Sequence, residues 1–289
     1  MYHADLIGGI VVRLSGIRTI CWGIHHSVLV RGASPFSTIL VAKVCALLSG
    51  IVPRVIICCS QEAIVVHKSM GYRADKMICI PNGYDISKFN TDPEKRKKIR
   101  EEIGIKEEIS LLGMVARYDP LKDHENLLNA LCILKRTGVI FKCVLVGTGM
   151  DDTNQKIKEQ IRERALEREV LLLGRRNDIP ALMNALDLHI LSSSSEAFPN
   201  VLAEAMACGT PCVATDVGDA AIIVGDTGWI VPPKEPEALA GAITKAINEH
   251  VTEPERWSRR SAGARERIAE NFGIATFLKR YQQCWREII

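Results

Sequence analysis

Aromatic residues are scarce in this 289-residue chain, at 5% of positions, and neither sign of charge dominates, with 37 Lys+Arg against 34 Asp+Glu. A net charge of +3 carries no electrostatic footprint of a nucleic-acid binder. Apolar runs are short as well. The longest, 39–59, is interrupted by Lys43, Pro53 and Arg54, short of the roughly 20 apolar residues that a membrane-crossing helix needs. The start, Met-Tyr-His-Ala-Asp, lacks the basic residues and apolar run of a secretory signal. Zinc-like spacing is missing. The ten cysteines stand singly or as Cys58-Cys59 and Cys208/Cys212, with no CxxC, which excludes a cysteine-rich metal module and a disulfide scaffold. Most sit in apolar runs, where a thiol behaves as a small hydrophobe in a reducing cytoplasm.

What is present is ordinary globular composition, 47% hydrophobic and 25% charged, in a chain long enough for one large domain or two ordinary ones. Short β-branched runs alternate with amphipathic segments, the pattern of βαβ units around a parallel sheet. In the first third, strands are expected at 19–24, 54–58 and 77–80, separated by helices at 4–16, 36–50 and 60–70. The charged run 92–103 reads as a solvated helix started by Asp92-Pro93. A second series has strands at 110–115, 141–146, 170–173, 188–191, 212–215 and 229–231. Helices at 123–137, 153–166, 179–186, 200–207 and 236–249 fill the gaps, and the tail 254–288 is helical. Six strands with interleaved helices make one complete Rossmann-like domain.

Ligands of open parallel sheets bind beyond the carboxyl ends of the strands. After 110–115 come Arg117 and Lys122, two cations five residues apart, with Lys122 expected to be exposed on a loop. After 141–146 come Gly147 and Gly149. They allow close backbone approach, but the third glycine of a dinucleotide fingerprint is absent, against a dehydrogenase. Gly174, Arg175 and Asp178 follow the third strand. The fourth leads through four serines into Glu196-Ala197-Phe198-Pro199-Asn200-Val201 and on to Glu204. Each feature alone has an ordinary reading as a charge pair, a tight turn or a solvated helix face. Together they form a crevice of one polarity. The cations suit a diphosphate, the helix starting near Asn200 offers free N–H groups, and the two glutamates are acceptor-only groups for sugar hydroxyls. That combination points to a nucleotide sugar.

Glu196 to Glu204, then Gly209-Thr210-Pro211, with Arg117 and Lys122 upstream, resembles the retaining family 4 glycosyltransferases of the GT-B fold. Pro81-Asn82-Gly83-Tyr84-Asp85 with Phe89, Val217-Gly218-Asp219 and Gly225-Asp226-Thr227-Gly228 match in the same order, over nearly the whole chain. The resemblance implies that Arg117 and Lys122 stabilise the diphosphate leaving group in place of a metal, so no cofactor or metal is expected. It implies that Glu196, with backbone N–H groups of Phe198 to Val201, holds donor-sugar hydroxyls, and that Glu204 holds the ribose. Gly174 to Asp178 would lie near the base, and His25 and His26 would face donor sugar and acceptor.

The implied architecture is α/β of GT-B type. A partial N-terminal Rossmann-like domain and linker is expected over 1–104, a complete nucleotide-sugar-binding domain over 105–270, and a C-terminal helix over 271–289 packing back on the first. Three strands in the first third suggest that the chain starts late, with Met1 internal to a longer domain and one sheet edge unpaired. The expected activity is retaining transfer of a sugar from a nucleotide-diphosphate sugar to a glycan or lipid-linked acceptor. The expected place is the cytoplasm, with peripheral contact at the inner membrane face left open. A non-catalytic nucleotide-sugar-binding fragment and a GT-B epimerase are the alternatives.

Overall fold

A computed structural model describes residues 2–26 and 35–288. Met1, expected to be internal to a longer domain, lies outside the described residues. The fold is α/β, built on two parallel sheets. The chain opens with α1 (Tyr2–Leu14), β1 (Cys21–Ile24), α2 (Phe36–Leu48), β2 (Val55–Cys58), α3 (Gln61–Ser69) and β3 (Met77–Cys79). The second series runs α4 (Pro93–Glu102), β4 (Ser110–Val115), α5 (His124–Arg136), β5 (Phe141–Val146), α6 (Gln155–Glu163) and β6 (Val170–Leu172). It continues with α7 (Ile179–Ala185), β7 (Leu188–Leu191), α8 (Asn200–Ala207), β8 (Cys212–Thr215), α9 (Ala220–Val224) and β9 (Trp229–Val231). Helices α10 (Pro236–Thr252), α11 (Pro254–Phe272) and α12 (Ile274–Ile288) close the chain.

Two compact units result. One holds Met1–Gly83, Ser195–Pro199 and Phe272–Ile289; the other holds Tyr84–Ser194 and Asn200–Asn271. In the first, the sheet order is β1-β2-β3, and side chains alternate between two apolar layers as a pleat requires. Trp22, Ile24, Ile56 and Cys58 pack with Tyr2, Ala42 and Ala63 of the leading helices. On the other face Val55 and Ile57 meet Phe277, Tyr281 and Cys284 of α12. Among the described residues β1 pairs only with β2, and its Gly23 N–H donates to Asp5 Oδ1 at 3.3 Å. The ten cysteines are free thiols, seven of them buried.

The second sheet has the order β6-β5-β4-β7-β8-β9, the doubly wound arrangement in which the chain returns to the middle after its third strand. Leu112, Met114, Leu188 and Ile190 point to one side and join Leu127, Leu131, Ile243 and Ile247 of α5 and α10. On the other side Gly113 lies against Leu186, whose methyls would be 2.6 Å from a Cβ there.

One expectation is corrected by the packing. Helix α4 starts as its sequence indicates, with Asp92 Oδ1 accepting from Lys95 N at 3.1 Å and Pro93 in the first turn. It is not a solvated helix, however, because Ile99 and Arg100 are buried. The Arg100 guanidinium gathers the carbonyls of Ala185 (3.0 Å), Lys106 (2.9 Å) and Ile109 (2.6 Å) and Asp187 Oδ2 (3.3 Å). The tail is two helices, α11 and α12, divided at Gly273.

Candidate active site

The strand order reverses between β4 and β7, with β5 and β6 beyond one and β8 and β9 beyond the other. Loops leaving the carboxyl ends on either side of such a switch point diverge and open a crevice. Within the second unit these loops are laced together through their backbones. Ala116 N donates to Val146 O and Tyr118 N to Thr148 O, each at 2.8 Å. Gly147 N donates to Gly174 O at 2.9 Å, and Gly174 N to Met150 O at 2.6 Å. Across the switch, Ser194 N donates to Leu121 O at 2.8 Å, while Ser192 Oγ lies 3.0 Å from the carbonyls of both Lys122 and Asp123. Arg117, Lys122, Gly147, Gly149 and Gly174 therefore share one rim. Gly147 is required there, since at φ +145° a Cβ would lie 2.2 Å from Ala116 O.

The loop after β4 is shaped by two aspartates that sequence reading passed over. Asp123, in the left-handed region, caps α5 by accepting from Asn126 N. Asp119 accepts from Leu121 N at 2.9 Å through Oδ1, and from Arg117 Nε and Nη2 at 3.1 and 2.9 Å through Oδ2. Burial pushes the Asp119 carboxyl up, but the Leu121 N–H and the Arg117 guanidinium outweigh it and hold the group below the usual range. Lys122 is half-buried rather than exposed, because it ends the 3₁₀ turn Pro120–Lys122 pressed against Ser192. Next to it His124 is pushed down to about 4 by burial and by the Lys122 charge, and stays neutral.

Around the rim, Arg175 is exposed. Asp178 is engaged by Arg176 through a fork at 2.8 and 2.6 Å, and Arg176 also reaches Glu102 at 2.6 Å. Asn200 opens α8, and its Oδ1 accepts from the Tyr84 hydroxyl at 2.5 Å, a partner whose link to Asn200 no local pattern reveals. Val201 and Glu204 on α8 are half-buried. Burial raises the Glu204 carboxyl, partly offset by the Lys88 ammonium.

The remaining candidates lie in the first unit. His25 and His26 follow β1 and are exposed. Glu196, Ala197, Phe198 and Pro199 lie in the segment Ser195–Pro199 that groups with this unit, where Phe198 packs edge-on against Phe272 at 5.6 Å. Among the described residues, no group of three or more His, Cys, Asp or Glu side chains is arranged to hold a metal ion. No described helix is long and apolar enough to cross a membrane.

The family described as "Glycosyl transferases group 1" matches residues 95–264, more than half of the chain. The chain belongs to this family. Among curated relatives of this group 1 chain, N-acetyl-alpha-D-glucosaminyl L-malate synthase of Bacillus anthracis is 27% identical over 194 residues, 66% of the chain and 49% of that enzyme. The Escherichia coli UDP-Gal:alpha-D-GlcNAc-diphosphoundecaprenol alpha-1,3-galactosyltransferase is 23% identical over 98% of the chain and 73% of its own length. The crystal structure of Anabaena HepE in complex with UDP superposes with a TM-score of 0.88 at 27% identity, over 99% of the chain and 77% of HepE. The chain spans about half or less of the length of most curated relatives it matches. These relationships give it the GT-B fold of the group.

Proposed function

We propose that this chain carries the donor site of a retaining family 4 glycosyltransferase, which moves a sugar from a nucleotide-diphosphate sugar to a glycan or lipid-linked acceptor. The observation that carries the reading is the loop after β4. It presents Arg117 and Lys122 at the switch point, with its backbone fastened to Ser192 and Ser194. Two cations there oppose the charge that builds on a departing diphosphate, and the start of α8 adds backbone N–H groups. In this reading Glu196, with the N–H groups of Phe198 to Val201, grips the donor sugar, Glu204 the ribose, and Gly174 to Asp178 flank the base. His25 and His26 attend the reacting sugar. No metal or cofactor is invoked, and the new bond forms on the face the diphosphate leaves. HepE, at 27% identity, is known with UDP and with UDP-glucose, which supports a nucleotide sugar as donor. The name of the Escherichia coli relative specifies a diphosphoundecaprenol acceptor, which supports a lipid-linked acceptor met at the cytoplasmic membrane face. The second reading is a domain that binds the donor without transferring it.

Calorimetric titration with UDP and GDP, followed by transfer assays from UDP- and GDP-hexoses, tests the reading. Saturable binding, and a product whose anomeric configuration by NMR matches the donor's, are expected. An inverted product would remove the retaining assignment; binding without transfer would favour the second reading.

Glu204 adds a pH signature. Its carboxyl is raised, so it takes up a proton at a higher pH than an ordinary glutamate. Only the ionised form presents both oxygens as charged acceptors to two ribose hydroxyls. Nucleotide affinity is therefore expected to hold above that pH and to fall as the pH drops through it. Glu204→Gln should bind weakly throughout and lack this acid step; an unchanged step in the variant would assign it to another group.

A further inference from the structure

Asp119 uses its two carboxylate oxygens for different partners. Oδ1 accepts from Leu121 N at 2.9 Å, which fixes the turn carrying Lys122. Oδ2 accepts from both Nε and Nη2 of Arg117, at 3.1 and 2.9 Å. The Nε–Nη2 edge is one through which a guanidinium grips an anion with two parallel hydrogen bonds. Asp119 holds that edge from two residues away in the chain, so the pairing needs no other loop to form it. The two side chains differ in freedom. Arg117 is 65% exposed and Asp119 only 23%, so the carboxylate is the anchored partner and the guanidinium the one that can swing.

We infer that Asp119 is a positioning residue that competes with the nucleoside diphosphate for Arg117, and so weakens retention of the leaving group. The inference rests on the donor-site reading above. An arriving diphosphate must share Arg117 with Asp119 or displace it, and Asp119 re-forms the pair as the nucleoside diphosphate departs. The same carboxylate keeps the Arg117 head beside the Lys122 turn while no anion is present.

The test is calorimetry of the full chain with UDP and GDP, at low and high salt, on Asp119→Asn and Asp119→Ser. Both variants remove the charge and keep an oxygen able to accept from Leu121 N. Each should bind the diphosphate about two- to fivefold more tightly than the parent, the range set by an exposed ion pair. The gain should shrink as salt screens the competing charges. It should also be smaller when both changes are made in an Arg117→Ala background, because there is no guanidinium left to release. Unchanged or weaker binding in Asp119→Asn and Asp119→Ser overturns the inference. So does an equal gain with and without Arg117, which would mean simple repulsion between Asp119 and the ligand. If the parent chain binds neither nucleotide, the donor-site reading fails and takes the inference with it; binding by the parent without a gain in the variants sinks the competition alone.

Discussion

Lys122→Ala is expected to lower the rate of sugar transfer by about 10²–10³-fold, the usual cost of removing one preorganised group that meets developing transition-state charge. Donor affinity should fall by roughly tenfold or more, as a charge-assisted hydrogen bond to phosphate is lost. Stability should change little, because the loop around Lys122 is held by backbone atoms. Ser192 Oγ contacts the Lys122 and Asp123 carbonyls, Ser194 N donates to Leu121 O, and Asp119 Oδ1 fixes Leu121 N. None of these contacts uses the lysine ammonium. A melting temperature within about 2–4 °C of the parent, equivalent to 1 kcal/mol in a chain of this size, would show that the fold is intact. Lys122→Arg should recover part of the rate, since charge returns but the compact ammonium does not. Full activity in Lys122→Ala with a normal melting temperature would move the diphosphate away from this loop.

The features that support this expectation differ in how far the sequence displays them. The strands ending at Val115, Val146 and Leu191 are buried on both faces of a parallel sheet. Each is therefore a mostly apolar run, broken only by Ser110, Lys142 or His189, and it stops where the chain meets the crevice, so its bounds and the loop after it can be read directly. The motif order from Arg117 to Glu204 is legible for the same reason, since each motif occupies a strand end.

What depends on tertiary neighbours is not legible. The half-burial of Lys122 comes from Ser192, seventy positions later in the chain. Helix α4 misleads most. A run of lysines, arginines and glutamates has the signature of a solvated face, and only the folded chain brings the carbonyls of Lys106, Ile109 and Ala185 around one of its arginines.

That arginine gives the second large expected effect. Arg100→Ala should destabilise the chain by about 3–5 kcal/mol, the cost of removing one partner from a buried ion pair. The expected fall in melting temperature is about 6–20 °C. Arg100 is 2% and Asp187 4% exposed. Without the guanidinium, Asp187 keeps a buried charge supported by the Leu111 N–H at 2.7 Å and by Arg96 at 2.6 Å. The carbonyls of Lys106, Ile109 and Ala185 lose their shared donor, and a buried unpaired carbonyl carries its own desolvation cost. The methylene stem of Arg100 is itself buried, so Arg100→Met separates packing from charge: it should keep most of the buried volume and lose the ion pair and the hydrogen bonds. Glu107→Gln is the surface control. Glu107 also pairs with Arg96 and Arg100, but it is 63% exposed, so its removal should cost about 1 kcal/mol or less. Urea unfolding of the three variants should place Arg100→Ala and Arg100→Met both well below the parent, Arg100→Ala the lower by its lost packing, and Glu107→Gln close to the parent. If Arg100→Ala lies within 1 kcal/mol of the parent, the carbonyl cluster around Arg100 does not hold α4 in place, and Ile99 and the Arg96 contacts with Asp187 and Ala185 must retain the helix.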